Sequence, residues 1–277
     1  DLAGTQKHLH SDFRNFLERA SVCEMAARVA AAALARRYLA AFGVSVHSHV
    51  VRISGAEAPR RADLQPEDFA TVDESPVRCL DADSEQQMVE EINRLRKANE
   101  SLGGVFEVWA FGLVPGLGSH VAWDERLDGR LAQAMVSIQA IKGVSIGDAI
   151  QVASRPGSEA HDELFWDDDR GYVRETNRAG GVEGGMSNGE PLMLSVAMKP
   201  LPTLTKPLRS VDIDSHEPVQ ALRERTDSTT VPAAGVVGEA MACLVLADAY
   251  AEKFGGDHID DALAAHAAYR ERSGWRR

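Results

Sequence analysis

The sequence predicts an α+β fold built in layers, with long helices lying inside, between sheets. Three observations carry that reading. Two long segments, 19–43 and 231–256, are apolar on most faces, and a helix of that kind must be covered on most faces. Runs with strand character, "VSVHSHVVRIS", "GGVFEVWAFGL" and "PLMLSVAMK", stand apart along the chain with helical segments between them. A chain of 277 residues can bury about three quarters of its unfolded surface, so one domain over residues 1–277 needs no metal or disulfide staple.

The elements follow in order. "RASVCEMAARVAAAALARRYLAAFG" is a helix whose seam is Val22, Met25, Val29 and Ala33, with Gly43 as its stop. Ser21 followed three residues later by Glu24 matches a capping box, which places a positive dipole end near Arg19 and Ser21. "VSVHSHVVRIS" alternates as a half-buried strand, and 56–75, rich in proline and charge, is a loop. "DSEQQMVEEINRLRKANE" is an amphipathic, solvent-facing helix that ends before Gly103 and Gly104, and "GGVFEVWAFGL" is a strand. "LDGRLAQAMVSIQAIKG" is a helix closed by Gly143, and "PLMLSVAMK" is a strand. "VPAAGVVGEAMACLVLADAYAEKFGG" is a long helix with Pro232 in its first turn and Gly255 past its end.

Composition narrows the function classes. A formal charge of -12 and a pI of about 5.2 repel nucleic acid and acidic membranes, so an anionic ligand must be drawn in by a local cluster of Arg and Lys. Cys23, Cys79 and Cys243 are odd in number and form no CxxC pair, which argues against a disulfide scaffold or structural zinc and points to the cytoplasm. No apolar run approaches the roughly 18 residues of a membrane span, and no signal peptide is seen. The chain opens on Asp1 rather than Met, so the start of the gene product is expected to lie ahead of it.

Several stretches could carry chemistry. "TNRAGGVEGGMSNGEP" is dense in glycine and reads either as hairpin turns or as a backbone cradle that approaches a planar ring or phosphate. It has neither the Walker ending nor the spacing of a dinucleotide loop. "MKPLPT" sets Lys199 and Thr203 beside two stiffening prolines, as a phosphate contact or as solvated loop residues. "RERTD" places Arg223 and Arg225 next to Asp227, a surface salt bridge or an anion contact. His161, Asp162 and Glu163 are adjacent and point to alternate faces, so they make a poor metal site. His8 with His10, and His47 with His49, lack a third ligand and read as surface or core histidines, so no metal is expected.

Together these segments resemble the chorismate synthase family. The residues that carry the resemblance are "LERAS" with "AARVAA", "GLGSHVAWDERLDGRLAQAMVSIQAIKGV", "AHDE", "TNRAGGVEGGMSNGEPL", "MKPLPTL", "RERTD", "VPAAGVVGEAM" and "EKFGGD". The resemblance implies a β-α-β sandwich, a homotetramer, and a cytoplasmic lyase of aromatic amino acid biosynthesis. It also implies anti-1,4-elimination of phosphate from 5-enolpyruvylshikimate 3-phosphate, giving chorismate with the help of reduced FMN (FMNH2). Whether the flavin is reduced on the protein, through NADP, or supplied reduced is left open. The FMN contacts it implies are Arg19, Ala20, Ser21, Gln139, Ala140, Gly184, Lys199, Pro200, Leu201, Pro202, Thr203 and Arg225, with Asp227 and Ser21 as catalytic residues.

This chain departs from the family pattern in places. The family carries, ahead of the segment matching Asp1, a glycine-Glu-Ser-His-Gly motif, two substrate arginines and a second catalytic histidine. Cys23 stands where the family has an arginine that helps hold substrate, Thr226 where it has Ser, and Ala149 where it has Gly. A non-catalytic FMN-binding or structural relative is therefore the alternative reading.

Overall fold

The computed structural model describes residues 2–19, 23–221 and 227–275, and of Arg19 the backbone alone. The helices are α1 (Leu2–His8), α2 (Arg14–Arg19), α3 (Cys23–Ala41), α4 (Ala82–Lys97), α5 (Leu127–Val136), α6 (Ala149–Val152), α7 (Gly157–Ala160), α8 (Val231–Phe254) and α9 (Ile259–Ser273). The long strands are β1 (Ser45–Ile53), β3 (Gly104–Phe111), β4 (Ile141–Ile146) and β9 (Leu192–Met198). Short ones are β2 (Ala56–Glu57), β5 (Leu164–Asp167), β6 (Gly171–Arg174), β7 (Val182–Glu183), β8 (Met186–Ser187), β10 (Arg209–Val211) and β11 (Pro218–Gln220).

The sheet is antiparallel throughout, in the order β2-β1-β3-β9-β4, and β5–β6, β7–β8 and β10–β11 are two-stranded ribbons beside it. The two-residue period divides its faces. Val46, Val50, Phe106, Val108, Leu194 and Val196 enter the main core under the helices, while Trp109, Phe111 and Met193 join Leu64 and Phe69 on the other side. The α+β class is borne out. Among the described residues the helical layer has this one sheet against it.

The helix α8 lies across β1 and β3, with α3, α5 and α9 packed on it. Two of its glycines allow that approach: a Cβ on Gly235 would stand 3.0 Å from Ser48 Oγ, and one on Gly238 would stand 2.6 Å from Phe106 Cε2. Among these apolar contacts sits one charge, Glu239. Its carboxylate accepts from Ser48 Oγ at 2.6 Å, Arg78 at 2.9 Å and Arg36 at 2.5 Å, and those two arginines also donate to the carbonyls of Val46 and Ser48 on the free edge of β1. A buried carboxylate is stabilised by such donors, and the edge carbonyls gain partners that β2 is too short to supply.

Four expectations need correction. The helix expected to run to Gly143 stops at Val136, and 141–146 is β4. Ala140 takes φ +65° and turns the chain, after which Ile141, Val144 and Ile146 pair with β9. The seam of α3 is Met25, Ala32 and Leu39, residues two turns apart, whereas Ala33 is exposed and Val22 lies outside the described residues. The 56–75 segment holds β2 and two short 3₁₀ turns, and its Leu64 and Phe69 cover the second face of the sheet. Finally, α8 is by length and composition apolar enough to cross a membrane. Half of its apolar stretch is buried within this fold, where the sheet and neighbouring helices replace lipid. The helix α9 was not foreseen, although Gly274, at φ +69° past its end, is the usual stop signal.

Candidate functional site

The site is built where β4 starts, β9 ends and α8 begins. Antiparallel pairing sets Ile141 opposite Met198, so Gln139–Ala140 and the 199–203 loop leave the sheet side by side, and Lys199 N–H donates to Ala140 O at 2.9 Å. The loop is held from below by Ser101, whose Oγ donates to Leu201 O at 2.7 Å. Gly103 is glycine because a Cβ there would stand 2.3 Å from Met198 O. The neighbouring Leu102 N–H donates to Ser228 O at 2.7 Å, and Thr230 Oγ1 donates to Met198 Sδ at 3.7 Å. Those contacts bring the residues after Asp227, and the N-terminus of α8, to the same end of the sheet.

The opening of α3 closes another side. Arg28 pairs with Glu24 at 2.9 Å and donates to Ser137 Oγ at 2.8 Å, and Gln139 Nε2 donates to Glu24 Oε2 at 3.5 Å. Gln139 Oε1 is buried and has no partner. A buried amide oxygen without a donor costs about 1–3 kcal/mol, so this atom is an acceptor with capacity left to take a hydrogen bond. Lys199, Pro200, Pro202 and Asp227 are exposed, and Leu201 and Thr203 are half-buried. Lys199 forms no ion pair among the described residues, so its charge faces outward at the same end. Ala20, Ser21 and Arg225 lie outside the described residues, as does the side chain of Arg19. The capping box expected from Ser21 falls there too.

Gly184 is placed apart from this group. It sits in the β7–β8 hairpin, and its neighbour Gly185 accepts at O from Leu127 N–H at 2.8 Å, at the start of α5. Gln139 follows the other end of that ten-residue helix, about 15 Å away along its axis. Of the remaining glycines in the stretch, most meet the protein's own backbone. A Cβ on Gly180 would stand 2.2 Å from Gly147 N, one on Gly181 2.6 Å from Pro191 O, and one on Gly185 2.8 Å from Ser119 O; only around Gly184 is the space open among these four.

Asp162 organises this stretch, a role that the sequence did not suggest when the residue was weighed as part of a metal or acid/base cluster. Its carboxylate accepts from Thr176 Oγ1 at 2.5 Å, Arg178 N–H at 2.9 Å and Ala179 N–H at 3.0 Å. The available signal was an acidic side chain ahead of a bare backbone rich in N–H groups. Among the described residues no cluster of three His, Cys, Asp or Glu could hold a metal. His47 stacks on Phe69 and is held below its ordinary pKa by burial, and His49 pairs with Glu107 at 3.2 Å. Burial pushes the Glu107 carboxyl up, but donors and charge from His49, together with hydrogen bonds from Trp109 and Ser195, outweigh it and leave the group below its usual range. This polar cluster faces away from α8 and is part of the sheet's packing.

A cavity of about 780 Å³ opens elsewhere, between Leu64, Arg155 and Asn177. Arg155, Arg170, Arg174 and Arg178 line it, but Asp63, Asp148, Glu159, Glu175 and Glu190 outnumber them, so it offers no net attraction for an anion.

The comparisons with known proteins agree with one another. The family model of chorismate synthase matches residues 1–251. A chorismate synthase of Carboxydothermus hydrogenoformans is 51% identical over 269 residues, covering 97% of this chain and 70% of that protein. One of Symbiobacterium thermophilum is 54% identical over 272 residues, covering 98% and 70%. A crystal structure of chorismate synthase superposes with a TM-score of 0.85 at 41% identity, covering 98% of this chain and 76% of that one.

Proposed function

The chain belongs to the chorismate synthase family, and from that premise we propose that it acts as a carbon–oxygen lyase, eliminating phosphate from 5-enolpyruvylshikimate 3-phosphate to give chorismate. The observation that supports a flavin site is the open end of the sheet, where Gln139–Ala140, the 199–203 loop and the entry to α8 meet and where Gln139 carries an unpartnered buried acceptor. That set fits FMN: Gln139 Oε1 would take a ring N–H, and Lys199 with Arg225 would hold the phosphate of an otherwise acidic chain's ligand. When bound, reduced FMN supplies electron density as the phosphate leaves and accepts a proton.

The residues of this chain do the remaining work. Ser21 and Asp227 are the proposed catalytic pair, with Asp227 just ahead of the N-terminus of α8 and Ser21 just ahead of α3. The prolines Pro200 and Pro202 fix the loop that presents Lys199 and Thr203, so that little entropy is lost on binding. The position of Gly184 supports self-association, with a homotetramer as the family form. An FMN contact that lies a helix length from the others in one chain can be met from a second copy, and the exposed Val121 and Trp123 lie next to that hairpin in a loop where Ser119 packs on Gly185. Cys23, Cys79 and Cys243 form no disulfide, which suits a cytoplasmic setting.

The reaction is tested by anaerobic assay with reduced FMN, on the chain alone and fused behind the amino-terminal segment of a relative. Equal release of phosphate and chorismate, dependent on the flavin, is the expected result for the fusion. Flavin-loaded protein that forms no product in either arrangement counts against the reading and in favour of a non-catalytic relative.

A further inference from the structure

A second, smaller cavity, of about 50 Å³, lies between the 188–190 turn, the β5–β6 ribbon and the end of α9, lined among others by Arg170, Arg174, Asn188, Glu190 and Trp275. Three of its lining residues carry buried N–H groups without a partner: Arg174 Nε, Asn188 Nδ2 and Trp275 Nε1. Their neighbours fix which atom is left over. Glu190 N–H donates to Asn188 Oδ1 at 3.0 Å, which assigns the amide oxygen and leaves the NH₂ group free to donate. Arg174 spends its other nitrogens on Glu183 at 2.9 Å and Asn188 O at 3.4 Å, and its side chain is only 10% exposed. Trp275 is braced by the Arg270 guanidinium, 4.9 Å from its ring, and by Gly189, where a Cβ would stand 2.8 Å from Nε1.

We propose that this cavity binds a small oxyanion. Buried donors without acceptors are rare because each forfeits its hydration. A carboxylate or phosphate can accept from all three donors at once and still has lone pairs. Arg170 and Arg174 share the walls with Glu190 and are each already paired, Arg170 with Asp167 at 3.4 Å and Arg174 with Glu183 at 2.9 Å, so the attraction rests on the three open donors and not on net charge. The volume fits an ion of a few heavy atoms, since one water occupies roughly 10–15 Å³ on this measure. Binding would tie the end of α9 to the turn that closes the glycine stretch. None of this depends on the reaction proposed above.

The test is a titration of inorganic phosphate, and separately of acetate, into the purified protein at constant ionic strength set with sodium chloride, following tryptophan fluorescence and the thermal midpoint. A saturable response to either oxyanion, with Kd near or below about 1 mM, is expected for the unmodified protein. Asn188→Asp keeps the acceptor for Glu190 N–H but turns the donor into a negative charge, and should weaken binding by about ten-fold or more. Trp275→Phe keeps an aromatic ring but removes the N–H donor, and should abolish the fluorescence response and weaken the thermal one. A phosphate response without an acetate response assigns a tetrahedral ion, and both together assign any small oxyanion. No saturable response, an equal response to chloride, or the same affinity in both variants overturns the proposal.

Discussion

Two regions that look alike in the sequence do opposite things in the structure. The glycine-dense stretch 176–191 and the 199–203 loop with its neighbours both read as places where a bare or rigid backbone meets a ligand. In the structure the first is largely closed on itself: Gly180 against Gly147, Gly181 against Pro191, Gly185 against Ser119 and Arg126. The second is open and carries an exposed lysine beside an unpartnered buried amide oxygen. Glycine density therefore reports how closely backbones approach, and that approach is as often to the protein itself as to a ligand. At the proposed flavin end it is an unpartnered acceptor, and not glycine density, that points to a ligand.

The sharpest way to break this contrast is Gly180→Ala. The methyl group would collide with the Gly147 backbone at a φ of +63°, so clash and strain together should cost about 3 kcal/mol or more, read as a loss of denaturation midpoint or of soluble protein. Asp162→Ala removes three hydrogen bonds to the start of the same stretch without filling any space. Bonds to a charged group suggest a loss of about 1.5–3 kcal/mol by urea unfolding, and Asp162→Asn should recover part of it. Gly184→Ala meets no atom within 4 Å and bears only the strain of φ +59°, about 1–2 kcal/mol. If Gly184 cost as much as Gly180, the stretch would not be divided into packed and open glycines in the way described.

Much of the fold was legible because it rests on periodicity. The strands from 45, 104 and 192 were evident from alternation, and the helix from 231 from its Pro and Gly boundaries. The errors have a common origin. Apolar residues at 138, 141 and 144 satisfy a helical spacing, so the end of α5 could not be told from the start of β4 until Ala140 was seen to adopt a left-handed turn. The seam of α3 was obscured by alanines, which fit either a buried or an exposed position. For the site, motif resemblance named the segments, but their juxtaposition at one sheet end comes from β4–β9 pairing that no local pattern announces. The support from Ser101 and Glu24 is tertiary and had no local signal, whereas that from Asp162 had one, an acidic side chain ahead of a bare backbone. The open cavity beside Trp275 depends on α9, which the sequence reading did not find.

The proposed flavin site is the end of the sheet formed by Gln139–Ala140 and the 199–203 loop. Fluorescence titration of FMN into the unmodified chain and into Lys199→Ala tests it most directly, since Lys199 is exposed and its removal leaves the packing intact. The expected result is saturable binding at micromolar affinity, about -8 kcal/mol, weakened in Lys199→Ala by about 1.5–3 kcal/mol with no change in unfolding midpoint. Equal affinity in the two proteins, or no saturable binding in either, would contradict it.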